Sequence, residues 1–362
     1  MRIAELSPHL PSASRAKCGG VAYVAHRLAN ALCRRGHAVT VFTTDERPAE
    51  ARYDVRTVLS HRPSGPLHAW LQNWHLAHRF AAQDFSGFDI IHAHGDDALL
   101  WKPGPPIVRT FHGAALAEAI HAPTWKRRFW YLSFVPRELW EAAKADVVVA
   151  DIAATSRHVP GIDHVIPNSV DTQIFYADET PKSAQPSILF VGTMGGRKRG
   201  QKILEIFQAQ IRPALPEAEL WLVADQSVSA PGVVSIPKPD DASLADLYRT
   251  AWVHCLPSTY EGFGIPYIEA MACGTPVVAT PNDGARALLA DGKWGRLARV
   301  EELGSALLSL LQDEPERQRI ANLGLQRAGD FTQDRVVDGY ESIFMSLVSA
   351  SARSARARNL EV

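Results

Sequence analysis

The stretch PSTYEGFGIPYIEAMACGTPVVA, residues 257–279, decides the fold class of the region around it. Gly262 and Gly264 surround Phe263, and glycine lets a backbone adopt positive φ and approach a ligand closely. From Ile265 onward the apolar run IPYIEAMA predicts a buried helix. The residues CGTPVVA then predict a helix end, a turn and a buried strand. A glycine turn, a buried helix and a buried strand in this order are typical of α/β proteins.

Two carboxylates in the same stretch predict its chemistry. Glu261 lies in the glycine turn, and Glu269 lies in the predicted helix. The N-terminus of such a helix offers N–H groups and a positive dipole end to an anion, most simply a phosphate. Carboxylates repel a bound phosphate, so we expect both glutamates to accept hydrogen bonds from sugar or ribose hydroxyls. A purely structural turn with a solvated glutamate is the alternative, but the whole stretch favours a nucleotide-sugar site.

Composition excludes several classes of protein. A length of 362 residues predicts two or three domains, each large enough for its own core. The net charge of −1 lacks the basic excess of a nucleic-acid-binding protein, so we expect no nucleic-acid partner. The four cysteines lie far apart without a C-x-x-C pair, which predicts neither a metal site nor a disulfide framework. No apolar run is long enough for a signal peptide or a membrane span, so we expect a cytoplasmic protein.

Strand-like and helix-like segments alternate along the chain in two blocks. Residues 1–173 contain strand patterns such as RIAEL, AVTVFTT, FDIIHAH and PIVRTFHG, separated by helical patterns. The polar, proline-containing stretch YADETPKSAQPS predicts a linker. Residues 174–334 then repeat the alternation, and a last helix is predicted from Arg335. The sequence therefore predicts two Rossmann-like domains, 1–173 and 174–334.

Several motifs together resemble the family 4 retaining glycosyltransferases, the glycogen-synthase-like group. Glu261 and Glu269 match the E-x7-E signature of that family. The segment GGVAYVAHRLANALCRRGHAVTVFTT, which starts at Gly19, follows the family pattern, and PNSVD (167–171) resembles its P-N-G-V-D. The resemblance covers nearly the whole chain. It implies the GT-B fold, with two Rossmann-like domains facing each other across a cleft and a C-terminal helix, 335–362, that returns to the first domain.

The resemblance also implies an activity. A glycosyltransferase of this kind would move a hexose-type sugar from a nucleotide-diphosphate sugar to a hydroxyl of a glycan, lipid-linked or small-molecule acceptor. It would retain the anomeric configuration and need neither a metal nor another cofactor, and we expect a UDP-sugar rather than a GDP-sugar as donor. The alternatives are a sugar-nucleotide epimerase of the same fold and a non-catalytic nucleotide-sugar-binding protein. An epimerase needs no acceptor, which distinguishes it by assay.

The resemblance assigns roles to residues of the second domain. Glu261 would bind hydroxyls of the donor sugar and Glu269 those of the ribose. In FVGTMGGRKRG, Phe190–Gly200, Arg197 and Lys198 would stabilise the leaving diphosphate, and charge stabilisation of this kind is a major catalytic effect. A solvated basic turn is the alternative, and Thr193 stands where the family has an arginine. The predicted donor-binding residues are Gly19, Gly20, Arg197, Lys198, Glu261, Gly262, Phe263, Gly264, Ile265 and Glu269.

Histidines of the first domain are the remaining candidates. His112 follows the strand pattern PIVRTF, and the family places a histidine here close to the donor sugar. The predicted catalytic residues are thus His112, Arg197, Lys198 and Glu261. His94 and Asn168 are expected on the acceptor side. His92 and His94 share a strand face and could form a metal pair, but no cysteine or third histidine lies near them in sequence, so no metal site is predicted.

The segment TWKRRFWYLSFVPRELWEAAK, residues 124–144, mixes aromatic residues with cations. Such a segment is typical of a helix that lies on an anionic membrane surface. The alternative is a helix that packs its aromatic rings into the core of the first domain while its cations reach solvent. The first interpretation predicts peripheral contact with the inner face of the membrane.

Overall fold

The structure is a computed structural model that describes residues 1–11, 19–58, 66–101, 104–237 and 239–360, with side chains described outside 66–73 and 354–360. By its internal contacts the chain divides into two compact units. The first comprises Met1–Leu116, Tyr131–Pro167 and Gln333–Val362, and the second comprises Ala117–Trp130 and Asn168–Thr332. The sequence-based domains 1–173 and 174–334 did not anticipate that the segment 117–130 groups with the second unit.

A parallel sheet forms the centre of the first unit. Its seven strands are β1 (Arg2–Leu6), β2 (Ala38–Thr43), β3 (Asp54–Thr57), β4 (Ile90–Ala93), β5 (Ile107–Phe111), β6 (Val147–Ala150) and β7 (His164–Val165). Their spatial order is β3-β2-β1-β4-β5-β6-β7. The order reverses between β1 and β4, which pair with Glu5 opposite His92. In sheets of this kind ligands bind at the carboxyl ends of the strands beside such a reversal.

The second unit repeats the arrangement with six parallel strands. They are β8 (Ser187–Val191), β9 (Glu219–Val223), β10 (Val233–Ile236), β11 (Val253–Leu256), β12 (Val277–Ala279) and β13 (Arg296–Leu297). Their order is β10-β9-β8-β11-β12-β13, with the reversal between β8 and β11. The predicted pair of Rossmann-like alternations is confirmed.

Helices connect the strands in both units. They are α1 (Gly20–Arg34), α2 (Pro66–Ala81), α3 (Ala115–Ile120), α4 (Trp125–Leu132), α5 (Val135–Lys144), α6 (Gly200–Ile206), α7 (Arg212–Ala214), α8 (Asp241–Thr250), α9 (Ile265–Ala272), α10 (Asp283–Leu289), α11 (Leu303–Gln312), α12 (Glu314–Ala328) and α13 (Gln333–Leu360). A π-helical segment, Phe207–Ile211, joins α6 to α7. Short 3₁₀ helices cover Ala153–Arg157, Gly196–Lys198, Ala290–Gly292, Val300–Glu302 and Gly329–Phe331.

Helix α1 shows how the sequence specifies these elements. Ala25, Leu28 and Leu32 recur at helical spacing and are buried against the sheet. The helix ends before Gly36, whose φ of +85° suits glycine.

The last helix belongs to the core of the first unit. Val337, Tyr340 and Phe344 on α13 are buried in one cluster with Ile3 of β1 and Val41 of β2. Burial of each such side chain stabilises the unit by about 1.5–3 kcal/mol.

Helix α13 runs from Gln333 to Leu360, so it starts two residues before the predicted Arg335. Among the helices of the described part of the chain, none combines the length and the apolar character needed to cross a bilayer.

Candidate active site

The reversal point of the second sheet brings two loops of the sequence together. The basic loop, residues 192–199, follows β8, and the turn that carries Glu261 follows β11. Because β8 and β11 are neighbouring parallel strands, both loops leave the same edge of the sheet. Side chains of the two loops can therefore meet at this edge.

Glu261 is a buried carboxylate held by three neighbours. Its Oε2 lies 2.5 Å from Nη1 of Arg197, and its Oε1 lies 4.0 Å from Nζ of Lys198. The hydroxyl of Ser258 donates to Oε1 at 2.8 Å. Burial by itself would raise the pKa of Glu261, but the charges of Lys198 and Arg197 outweigh it and lower the pKa below the ordinary 4.5. Glu261 is therefore ionised at neutral pH and accepts hydrogen bonds.

The two cations of the basic loop face this carboxylate. Nη1 of Arg197 also donates to the carbonyl of Tyr260 at 2.9 Å, and the carbonyl of Arg197 accepts from the N–H of Thr259 at 2.9 Å. The side chains of Arg197 and Lys198 are 37% and 20% exposed, so both can still reach a ligand above Glu261. The alternative of a fully solvated basic turn is wrong for these two residues.

Glycine gives the basic loop its close packing. A Cβ on Gly192 would lie 2.7 Å from Cδ of Lys198, so a larger residue would displace the lysine side chain. Thr193, which stands where the family has an arginine, donates its hydroxyl to the carbonyl of Gly195 at 2.8 Å. It closes the loop instead of supplying a charge. Arg199 follows with φ of +56°, a left-handed conformation, at the start of α6.

The glycine turn before α9 has one residue with positive φ. Gly264 has φ of +102°, whereas Gly262 does not have positive φ. A Cβ on Gly264 would also lie 2.4 Å from the ring of Tyr267. Position 264 therefore requires glycine for two separate reasons, and the expected backbone freedom is used there.

Helix α10 fixes the same turn from the other side. The N–H of Gly284 donates to the carbonyl of Glu261 at 3.1 Å. Asn282 caps α10 by accepting from the N–H of Ala285 at 3.0 Å, and its amide donates to the carbonyl of Ser258 at 3.2 Å. One asparagine thus joins the start of α10 to the turn that carries Glu261.

Glu269 occupies a separate environment on α9. It is buried, and its Oε2 accepts from the hydroxyl of Tyr248 at 3.5 Å. Burial and the negative charge of Glu269 raise the pKa of Tyr248 well above its ordinary value, so the tyrosine stays protonated and can donate. The role of Glu269 at a ribose stays a prediction.

The first unit contains a second cluster, at the carboxyl ends of β1, β4 and β5. Nδ1 of His94 lies 2.8 Å from Nε2 of His112, and Nε2 of His94 lies 2.6 Å from Oε1 of Glu5. His92 is bonded differently, with Nε2 2.8 Å from the hydroxyl of Thr110. The structure thus brings two predicted residues, His94 and His112, into direct contact.

Glu5, His92 and His94 also have ligand atoms within 4.8 Å of one another, as a metal site would. Two ligands of a tetrahedral ion at about 2.1 Å lie roughly 3.4 Å apart. The 2.6 Å between His94 and Glu5 is the distance of a hydrogen bond, so this geometry fits a hydrogen-bonded chain better than a metal site.

Asp96 and Asp97, in the loop after β4, take part in buried ion pairs. Asp97 lies 2.9 Å from Nζ of Lys144 and 3.3 Å from Nε of Arg109, and Asp96 pairs with Arg137. These pairs tie the loop after β4 to helix α5. They give both aspartates a structural role.

Two family profiles match the chain. The profile described as Glycosyltransferase Family 4 matches residues 18–174, and the one described as Glycosyl transferases group 1 matches residues 185–313. The chain belongs to glycosyltransferase family 4. The resemblance seen in the sequence is confirmed.

Curated relatives of this glycosyltransferase transfer sugars, as their names state. The phosphatidyl-myo-inositol mannosyltransferase of Mycobacterium tuberculosis is 28% identical over 84% of this chain and 87% of its own length. The MMP alpha-(1->4)-mannosyltransferase of Mycolicibacterium hassiacum is 28% identical over 91% and 93%. The D-inositol 3-phosphate glycosyltransferase of Stackebrandtia nassauensis is 26% identical over 98% and 94%.

Solved structures with the same fold confirm the GT-B prediction. Sucrose-phosphate synthase from Thermosynechococcus elongatus has a TM-score of 0.79 at 20% identity, covering 96% of this chain and 99% of that one. WaaG, a glycosyltransferase involved in lipopolysaccharide biosynthesis, has a TM-score of 0.70 at 18% identity, covering 94% and 99%. HepE of Anabaena, solved with UDP-glucose, has a TM-score of 0.71 at 16% identity, covering 96% and 100%.

The predicted site residues of the glycosyltransferase fall into the two compact units. Gly19, Gly20, His94 and His112 belong to the first unit, and the other predicted residues, including Asn168, belong to the second. Gly20 begins α1, and Gly19 precedes it in extended conformation, while part of the loop before them lies outside the described residues.

Asn168 is buried, and Ser169, which replaces the glycine of the family motif, does not have positive φ. Serine therefore suits this position.

Five residues of the two clusters were not predicted from the sequence. Glu5 is a charged residue in the apolar strand RIAEL, which could have marked it as a buried partner. The residues PND before a helical pattern are a typical cap signal and could have indicated Asn282. The contacts of Ser258, Tyr260 and Gly284 depend on how the loops fold back, and no local signal indicates them.

The aromatic segment of the glycosyltransferase is exposed at its start. Helix α4 has no buried residue among the described side chains. Trp125 is 69% exposed and Phe129 is 66% exposed, and their rings contact each other edge to face. The interpretation that these rings pack into the core is wrong for α4, because both lie on its open surface.

Proposed function

We propose that this glycosyltransferase moves a hexose-type sugar from a nucleotide-diphosphate sugar to an acceptor hydroxyl, with retention of configuration and without a metal. The observation that carries the proposal is the group of Glu261, Arg197 and Lys198 at the reversal point of the second sheet. One buried carboxylate there is covered by two partly exposed cations. This arrangement suits a ligand that has hydroxyls on one side and phosphates on the other.

The cations would stabilise the leaving diphosphate. Lys198 lies 4.0 Å from Glu261, a loose contact that a phosphate can replace with a direct hydrogen bond. Arg197 is anchored through one guanidinium nitrogen to Glu261 and Tyr260, so its fork can bind phosphate from a fixed position. Two positive charges on a departing diphosphate perform the neutralisation for which other enzymes use a metal ion.

Glu261 would bind hydroxyls of the transferred sugar rather than act as acid or base. Its lowered pKa keeps it ionised, and an ionised carboxylate only accepts hydrogen bonds. Glu269 would bind the ribose, as the family motif implies. Attack would occur on the face that the diphosphate leaves, with the departing phosphate taking the proton of the acceptor hydroxyl. Exclusion of water from the closed site would limit hydrolysis of the donor.

The donor and the acceptor are proposed from the names of similar proteins rather than from contacts in the site. We propose a UDP-sugar in preference to a GDP-sugar, with the base near the end of β10, around residues 234–239. HepE binds UDP-glucose, which supports the first choice, while the names of the curated relatives favour mannosyl transfer. The same names indicate inositol-containing lipid or sugar acceptors, so we propose a carbohydrate or lipid-linked acceptor.

A thermal-shift panel of UDP-, GDP- and ADP-sugars tests the donor, because a ligand that binds only the folded protein raises Tm by mass action. The donor that shifts Tm is then incubated with glycan, inositol and lipid acceptors, and the product is examined by NMR. Transfer with the donor's own anomeric configuration supports the proposal. Inversion, or conversion of the donor sugar to its epimer without an acceptor, contradicts it. Binding without turnover of any kind indicates a non-catalytic protein.

We also propose peripheral contact with an anionic membrane through α4. Trp125 and Phe129 are exposed on this helix next to Lys126, Arg127 and Arg128. Exposed aromatic rings beside cations are what interfacial helices use to bind anionic lipid. Contact with the inner membrane face would bring a lipid-linked acceptor to the enzyme.

A further inference from the structure

The chain from Glu5 through His94 to His112 runs from the core of the first unit to a residue proposed to contact the donor sugar. The two hydrogen bonds are 2.6 Å and 2.8 Å long. The side chains of Glu5 and His94 have no exposed surface. A chain of this kind has one consequence for its last member, because each hydrogen bond determines which atom of the next group carries the proton.

Burial determines which atom is the donor in each hydrogen bond of this chain. Burial raises the pKa of Glu5 well above its ordinary value. Burial and the nearby charge of Arg109 lower the pKa of His94 to about 3. An ion pair between them would place two charges in a medium that solvates charge poorly. Both groups are therefore neutral, and the O–H of Glu5 donates to Nε2 of His94.

The proton positions of the two imidazoles follow from that bond. A neutral imidazole that accepts at Nε2 carries its proton at Nδ1. Nδ1–H of His94 then donates to Nε2 of His112. His112, accepting at Nε2, carries its own proton at Nδ1.

We propose that Glu5 and His94 are positioning residues that fix His112 as its Nδ1–H tautomer and fix the orientation of its ring. The proposal rests on the proposed function through the family resemblance, which implies a histidine at position 112 close to the donor sugar. The rings of His94 and His112 lie at 14° to each other with centroids 5.1 Å apart, the near-coplanar arrangement that a hydrogen bond between two ring nitrogens requires. The imidazole of His112 is then neutral and has a single fixed donor atom.

His92 offers a matched control. It lies on β4 two residues before His94, the ring centroids are 4.3 Å apart, and both residues are buried. Its Nε2 is bonded to Thr110, which is not part of the chain to His112. The same substitution at positions 92 and 94 therefore removes a buried ring in both cases but breaks the chain in only one.

The deciding experiment is long-range ¹H–¹⁵N NMR of the whole protein with ¹⁵N-labelled histidine, at neutral pH and without substrate. We expect His112 to have a protonated Nδ1 and an unprotonated Nε2 in the wild type and in His92→Phe. Glu5→Gln should keep this state, because its amide N–H donates to His94 as the carboxyl does. Glu5→Met and His94→Phe should lose it, with His112 exchanging between both tautomers. The Glu5 variants keep the test available if His94→Phe does not fold.

A wild-type His112 that is protonated at Nε2, or a Glu5→Met variant with an unchanged His112, overturns the proposal. Stoichiometric Zn²⁺ binding that disappears in Glu5→Met overturns it as well, since the cluster would then be a metal site. Because no substrate is present, the result does not depend on the choice of donor. The expected tautomer together with failure of every donor in the panel would refute the proposed function and leave the positioning role intact.

Discussion

A Cβ on Gly284 would lie 2.3 Å from the carbonyl oxygen of Phe263. Helix α10 therefore packs against the glycine turn so closely that no side chain fits at position 284. The N–H of Gly284 uses this approach to donate to the carbonyl of Glu261. The turn that holds the site's carboxylate thus depends on the absence of a side chain in another helix.

Gly284→Ala should disturb this turn. The added methyl group meets backbone rather than a flexible side chain, so the turn must move, at a cost of about 1–3 kcal/mol. Because Glu261 anchors the guanidinium of Arg197, its movement should also weaken binding of the diphosphate of UDP, which calorimetry measures. Gly329→Ala is the control, because a Cβ there meets nothing within 4 Å and φ is −60°. Equal UDP affinity in both variants would contradict the proposed role of the turn.

Substitutions of Asn282 test its two hydrogen bonds, to Ala285 and to Ser258, separately. Asn282→Ala removes the cap of α10 and the bond to Ser258, and should cost about 1–2 kcal/mol. Asn282→Asp keeps a capping oxygen but cannot donate to the Ser258 carbonyl, so its loss of UDP affinity should match that of the alanine variant while its stability stays higher. Asp240→Ala removes an exposed cap of α8 and should leave UDP affinity unchanged. Weaker binding in Asp240→Ala would show that the effect is general destabilisation.

Much of the fold could be predicted because its signals are local. A recognisable local pattern marks the strand SILFV, the glycine turn and the helix IPYIEAMA. Alternation of such strands and helices predicts parallel sheets. Segment 117–130 could not be assigned to the second unit, since its grouping depends on tertiary contacts that short-range patterns do not record.

The sequence could predict the charged side chains of the site, but it could not predict the backbone atoms that contact them. Glu261, Arg197 and Lys198 attract attention by residue type and position, and they meet in the structure. The carbonyl of Tyr260 bonds Arg197, but every residue has a carbonyl, so the sequence cannot mark it. The contact between His94 and His112 joins residues 18 positions apart on neighbouring strands. It follows from strand order, which the sequence left open.

Lys198→Met should weaken UDP binding. A hydrogen bond to a charged group contributes about 1.5–3 kcal/mol, which corresponds to roughly 10–100-fold in Kd. Lys202→Met is the matched control, since Lys202 lies on α6 nearby, is 42% exposed and pairs with Glu205. Calorimetry with UDP should show a change for the first variant only. Similar losses in both variants would indicate a general effect of positive charge rather than a diphosphate contact.

The double substitution Trp125→Ser with Phe129→Ser should reduce binding to anionic vesicles by at least about ten-fold, because two exposed rings lose their apolar burial in lipid. Sedimentation with phosphatidylglycerol vesicles measures this. Leu325→Ser removes a 41% exposed apolar residue of α12 and should change nothing. A wild-type protein that stays in the supernatant at low salt rules out the membrane contact.

Glu261→Gln keeps the size of the side chain and removes its charge. We expect transfer to fall by about 100-fold or more, while the protein stays folded. Stability should show a pH dependence as well. The folded-state pKa of Glu261 lies below the ordinary 4.5, so its contribution is present above that pH and is lost as pH falls through the folded-state value.

The difference in Tm between wild type and Glu261→Gln should therefore be largest near about pH 7 and shrink as pH falls below the ordinary 4.5 and the wild-type carboxyl becomes protonated too. Glu269→Gln, measured alongside, tests whether the effect belongs to the cations, because Glu269 bonds to Tyr248 instead. A Tm difference that stays constant with pH would mean that Glu261 is not held ionised by Arg197 and Lys198. The proposed binding of sugar hydroxyls by an anion would then lose its physical basis.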